Sequence, residues 1–215
     1  MPHKRYLNDY LTGKWQGSAA RGELYNDDPR LGDARLCGTT ASLCGAEEDR
    51  EQALAKIEML HAFLLALSGV PVLYSGDEIG QLNDYTYHDD PVKREDSRYL
   101  HRGAFSWDDA AKRTDAASWQ GSVYGKIAAL VALRRGNSVF DAQADVWTFD
   151  TGSDHVLGVG RYNENKKLLT LFNFGDHAAT VAIDGEYADM LREGERVSGR
   201  IELPASGFAW LLREE

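Results

Sequence analysis

Hydrophobic residues in this chain recur at helical spacing in the segments before residue 138 and at every second position after it. Leu54, Ile57, Leu60, Leu64 and Leu67 follow the first pattern, with acidic residues ahead of them and Gly69 just beyond, so an amphipathic helix is expected from Asp49. Val123, Ile127, Leu130, Val131 and Arg134 predict a second helix, which Gly136-Asn137 ends. After Ser138 the segments "DVWTFD", "HVLGVGRY", "KKLLTLFNF", "ATVAID" and "GFAWLLR" alternate with turn signals such as Gly152-Ser153-Asp154 and Asn163-Glu164-Asn165. Short strands at this spacing predict a small antiparallel β-sandwich. The expected organisation is therefore α/β followed by all-β, with domains at 1–138 and 139–215.

Between the two helices lies "SGVPVLYSGDEIG", Ser68 to Gly80. Val70 to Tyr74 reads as a strand buried on both faces, as a parallel sheet covered by helices requires. Helix followed by buried strand is half of a βα repeat. Residues 1–48 show no sustained period and read as a long functional loop carrying short helices, and residues 76–120 form a second long polar segment.

Charge narrows the partners. With 34 Asp and Glu against 24 Lys and Arg the net charge is −10, the wrong sign for gripping a polyanion, and no basic patch compensates, so nucleic acid is not expected. The apolar runs are too short for a membrane span and residues 1–30 hold no signal-peptide core, which predicts a soluble cytoplasmic protein away from membranes. Cys37 and Cys44 are the only cysteines and lack a His at zinc-ligand spacing. They are read as buried free thiols rather than a bridge. No phosphate-cradling glycine loop and no calcium-site spacing is present, so no cofactor and no metal is expected.

Three motifs carry a resemblance. "GVPVLYSGDEIG" is similar to the eighth barrel strand of the α-amylase superfamily of glycoside hydrolases, while "EDSRYLHR" (Glu95 to Arg102) and "GDARLCGT" (Gly32 to Thr39) resemble its amylosucrase and sucrose hydrolase branch. The resemblance implies the C-terminal portion of a (β/α)₈ TIM barrel, comprising the seventh loop and the last helix-strand-helix, followed by the β domain. It also implies a retaining enzyme with a carboxylate nucleophile and a carboxylic acid/base. In this superfamily both carboxylates and a transition-state His-Asp pair come before the loop with which this chain begins. The expected catalytic set within the chain is therefore none, the chain is expected to be inactive alone, and the remainder of the barrel upstream is an expected partner.

The same resemblance assigns substrate contacts. Arg98 matches an amylosucrase arginine that pairs with a pocket-floor carboxylate and touches the glucosyl ring of sucrose, and Arg35 matches an acceptor-side arginine that favours transfer over hydrolysis. A surface salt bridge is the alternative for each. Lys4 and Asn26 stand where polymer-forming relatives carry an arginine and a glutamine that hold a glucan acceptor, a departure that puts glucan synthesis in doubt. Asp77 and Glu78 fall at the active-site rim, where strands of such a barrel end, and are read as structural hydrogen-bonding groups rather than acid catalysts. "YHDD" imitates the absent His-Asp motif but follows the eighth-strand signature, so His88 and Asp89 are read as loop residues. The leading reading is part of a sucrose-acting glucosyltransferase or hydrolase, with small carbohydrates as ligands. The alternatives are a noncatalytic carbohydrate-binding or packing module, or another α-amylase-type hydrolase such as an α-glucosidase.

Overall fold

The computed structural model describes residues 2–28, 30 and 33–214; Gly32, the first residue of "GDARLCGT", lies outside them. Two compact units form, one from Met1–Ile57 with Leu73–Gly125, the other from Glu58–Val72 with Lys126–Glu215.

In the first unit helix α1 (Pro2–Leu11) leads to a hairpin of β1 (Glu23–Asp28) and β2 (Asp33–Cys37), and then to a short helix α2 (Thr40–Leu43). The sequence alone predicts a loop with short helices here, and the structure adds the hairpin. The hairpin was hidden because both strands are polar and β1 is bulged between Tyr25 and Asp28, where Asn26 adopts a left-handed φ of 52°. The long segment after residue 75 is built of short turns. Asp84, Asp96 and Ser106 each accept a hydrogen bond from a backbone N–H two or three residues on, and so cap the 3₁₀ turns Tyr85–Asp89 and Ser97–His101 and the short helix α4 (Trp107–Ala111).

Helix α3 (Arg50–Ala66) and helix α5 (Trp119–Arg135) lie where the periodicity put them, each running from the first unit into the second. Along α5 the buried residues Val123, Ile127 and Leu130 are those expected. Along α3 the buried line is Ala53, Ile57, His61 and Leu65, while Leu60 is 36% exposed. That helix is apolar around most of its circumference, so periodicity alone did not choose a face.

The expected strand at Val70 to Tyr74 is not formed. Val70 is 88% exposed and Val72 76%, and no described strand pairs with the segment. A central parallel strand exists only by hydrogen bonding to neighbours on both sides, and among the described residues none is offered, so the segment stays open.

The second unit carries a six-stranded antiparallel sheet in the order β3-β4-β5-β8-β6-β7, formed by β3 (Asp145–Phe149), β4 (Val156–Asn163), β5 (Lys166–Asn173), β6 (Ala179–Asp189), β7 (Glu195–Leu203) and β8 (Phe208–Glu214). The strands expected as a sandwich join in one hydrogen-bonded sheet. Strand β6 pairs with β8 through Ala188 and Asp189, and a bulge between Ile183 and Glu186 shifts the β6–β7 register. Alternation then fills two cores. Leu168, Phe172 and Trp210 point to one, with Met59, Leu65 and Leu130 of the two helices; Leu171, Ala209 and Leu211 point to the other, against Val181, Ile183 and Leu203. Each large side chain so buried contributes roughly 1.5–3 kcal/mol. Strand β3 is held by close approach: Trp147 and Phe149 lie opposite Gly160 and Gly158, and a Cβ on either glycine would fall 2.2 Å or 2.7 Å from the facing ring.

Candidate functional site

Polar and charged side chains converge where the hairpin meets the turn 97–101, all within the first unit. Ser97 donates from its hydroxyl to the carbonyl of Leu24 (3.0 Å), which fastens the turn onto β1. Arg98 follows directly. Its Nε donates to Oδ1 of Asp96 at 2.8 Å and its Nη2 to Oδ2 at 2.6 Å, a bidentate fork, while Asp96 Oδ1 also accepts from the backbone N–H of Arg98. The guanidinium lies over the ring of Tyr25, 4.5 Å from its centroid. The carboxylate that Arg98 holds is thus its near neighbour in sequence. Hydrogen bonds from Arg98 keep the Asp96 carboxyl at about 2, below the usual carboxylate range, and Asp96 in turn raises Arg98 above an ordinary arginine.

Tyr25 links the two arginines singled out from the sequence. Arg35 lies exposed on β2, directly opposite Tyr25 in the register, so the ring beneath Arg98 is the cross-strand neighbour of Arg35. Asn26 follows Tyr25 at the bulge, exposed; its left-handed backbone is one that asparagine tolerates better than most residues, a local reason for its presence apart from any ligand. Lys4 lies exposed in the first turns of α1.

Asp77 and Glu78 fall in a 3₁₀ turn, Asp77–Ile79, rather than on a strand end. Glu78 Oε2 accepts the N–H of Gly76 at 2.8 Å, and the carbonyl of Asp77 accepts the N–H of Gly80 at 3.1 Å. Glu78 has a structural partner in that turn. His88 Nε2 lies 3.0 Å from Glu23 Oε1, and its ring packs 4.2 Å from that of Tyr87, whose hydroxyl donates to the other oxygen of Glu23. Burial first and the Glu23 bond second raise the Tyr87 phenol.

Sequence reasoning passed over Asn83, which organises this region. Its side-chain oxygen accepts the N–H of Thr39 (2.8 Å) while its amide donates to the carbonyl of Arg21 (2.6 Å) and to the hydroxyl of Tyr85 (3.2 Å). Ser42 accepts the Asn83 N–H and donates to Glu47. Asp96 was passed over as well. The signal for Asp96 was available, since an Asp two residues before an Arg at the start of a turn is a capping pattern.

The arrangement suits hydroxyl recognition. Arg98 is a fixed multi-donor group over an aromatic ring, Arg35 is an exposed one opposite that ring in the strand register, and among the described residues no group of three or more His, Cys, Asp or Glu is placed to hold a metal ion. No described helix is long and apolar enough to cross a membrane.

Comparison with known proteins bears on the whole region. The family profile described as the alpha amylase catalytic domain matches residues 38–149, just over half of the chain. A glucosylglycerate phosphorylase of Escherichia coli (strain K12) is 27% identical over 173 residues, 79% of this chain and 30% of that protein. The structure of AmyP in complex with maltose aligns with a TM-score of 0.65 at 19% identity, covering 80% of this chain and 38% of that one. The trehalulose synthase MutB from Pseudomonas mesoacidophila aligns with a TM-score of 0.60 at 17% identity, covering 82% and 42%. The chain spans less than half the length of each of these relatives, and the structural likeness concerns fold alone.

Proposed function

Because this chain belongs to the alpha-amylase family, we propose that it forms the C-terminal part of a retaining, amylosucrase-like enzyme that transfers glucosyl from sucrose or hydrolyses it. In this reading residues 1–138 complete a TIM barrel, residues 139–215 form its β domain, and the nucleophile and acid/base come from barrel residues outside the chain. The observation that carries the reading is the clamped Arg98, held by Asp96 over Tyr25 in the segment that follows the "SGDEIG" turn. A guanidinium fixed in this way presents donors to sugar hydroxyls with little ordering left to do on binding. The open Val70 to Tyr74 segment supports the barrel reading, since seven further strands would cover it. Arg35 serves the acceptor side, with Lys4 and Asn26 at its margin.

A second reading is glucosyl transfer to phosphate, favoured by the 27% identity with a glucosylglycerate phosphorylase and compatible with an arginine over Tyr25 and another opposite it in the register. The experiment is a sucrose assay, with and without inorganic phosphate, on the chain alone and on the product of the reading frame extended upstream. The chain alone should release neither glucose nor fructose above the uncatalysed rate. Turnover by the chain alone that survives repurification and disappears in Glu78→Gln would sink the reading. Release of a glucosyl phosphate by the extended product would select the second.

A further inference from the structure

A cavity of about 720 Å³ opens in the first unit, away from the Arg98 fork and within the size range of small-molecule sites. Its walls come from residues 79–86 and 103–106 and from the opening turns of α3, α4 and α5. Four charged residues line it, Arg50 and Lys112 against Asp84 and Asp109, so its lining is neutral overall. Lys112 Nζ pairs with Asp109 Oδ1 at 2.8 Å, and Gln120 donates its amide to that same oxygen at 3.1 Å. Asp84 spends Oδ1 on the backbone and hydroxyl of Thr86, which leaves Oδ2 as an acceptor. Arg50 lies over Trp119, 5.5 Å from the ring centroid, with its donors uncommitted to any described carboxylate, and Trp119 is itself fixed by donating to the carbonyl of Gly80 at 2.8 Å.

We propose that this cavity binds an uncharged polyhydroxylated ligand, a mono- or disaccharide, as a second site separate from the Arg98 surface. A sugar hydroxyl both donates and accepts, and here Arg50 and Lys112 supply donors at the rim of one open recess where Asp84 Oδ2 and the oxygen of Gln120 supply acceptors. Bonds that involve charged groups are the stronger kind. An anionic ligand would gain at Arg50 and Lys112 but lose at Asp84 and Asp109; a cation would meet the reverse. Balanced charge therefore selects a neutral partner. The capped turns and the Trp119 anchor hold the walls before binding, which lowers the ordering cost.

The test is an NMR titration of the chain, following the Trp119 indole and the amides of Gly80 and Gly103, with maltose, sucrose and glucose 6-phosphate as probes. Maltose or sucrose should shift these signals in the millimolar range. Lys112→Ala and Gln120→Ala should each weaken binding about fivefold, the loss of one net hydrogen bond, and Arg98→Ala should leave it unchanged. The proposal is overturned by absence of any shift at about 100 mM sugar, by shifts that both cavity variants leave intact, or by tighter binding of the phosphorylated sugar. If Arg98→Ala abolishes the shifts, the sugar sits at the Arg98 surface: the cavity proposal then fails while the amylosucrase-like reading stands.

Discussion

Arg161 on β4 donates from Nη1 to the carbonyl of Ala66, the last residue of α3, across 3.0 Å. Its Nε and Nη2 reach the carbonyls of Val139 and Asp141 at 2.8 Å and 3.1 Å, so a guanidinium only 1% exposed is satisfied by backbone oxygens. A helix leaves its last carbonyls without intrahelical partners and carries partial negative charge there. Arg134 serves the same helix end, donating to the carbonyls of Leu65 and Gly69. Burial, and then the neighbouring Arg134, lower Arg161 below an ordinary arginine.

Replacing Arg161 by Leu should destabilise the second unit by about 3 kcal/mol, because buried carbonyls lose their donors. Arg161→Lys should restore less than half, since one ammonium cannot reach three oxygens in different directions. Urea unfolding followed by tryptophan fluorescence measures both. A Leu variant with the wild-type midpoint would show that water replaces the side chain at no cost.

Asp96 titrates lower in the folded chain, at about 2, than the roughly 3.9 of an unpaired aspartate. A depressed carboxylate stabilises above its unfolded pKa and loses that contribution as pH falls through the folded one. The turn 97–101 should therefore keep its geometry at neutral pH and loosen between about pH 4 and 2. Carbon-detected titration of the Asp96 carboxyl reads the midpoint directly, and Arg98→Ala should move it upwards. A midpoint unchanged by that substitution would remove Arg98 as its cause.

On the amylosucrase-like reading proposed above, Arg98→Ala in the product of the reading frame extended upstream should lower kcat/KM for sucrose at least about thirtyfold, the scale of losing a paired charge at a binding site. Arg98→Lys should recover part of this, because a point charge does not reproduce the fork on Asp96. Arg35→Ala should leave sucrose cleavage largely intact and shift products from transfer to hydrolysis, read as a product ratio with and without a glucan acceptor. Wild-type kinetics in Arg98→Ala would refute the sucrose-pocket assignment and leave the family untouched.

Cys37 and Cys44 are both buried and unbridged, and burial pushes the Cys44 thiol up to about 12. Since the thiolate is the reactive form, neither should be labelled by a maleimide at pH 8 until urea opens the first unit. Rapid native labelling of Cys44 would mean that its surroundings open far more often than the packing implies.

Strong periods and explicit turn residues carried most of what could be read from the chain itself. Val123, Ile127 and Leu130 announced α5, and "KKLLTLFNF" announced β5. Strand β7 was missed because "ERVSGRIEL" is largely polar and broken by Gly199 at a φ of 72°. Val70 to Tyr74 was read as a buried strand because its composition demands neighbours, a demand that the described residues do not meet. Motif context points to Arg98, but not to the Asp96 that holds it. The stacking of Arg98 on Tyr25 joins the turn to a hairpin strand some seventy residues earlier, and local pattern carries no information about such an encounter; the Asp96 pair, by contrast, is local, two residues apart.

The pairing of Trp147 with Gly160 and of Phe149 with Gly158 ties four positions into two units of inheritance. Any descendant of this chain that acquires a side chain at 160 must first shrink the indole at 147, and the same order binds 158 to 149. Substitutions at these sites should therefore surface in pairs across related β domains, ring lost and side chain gained together.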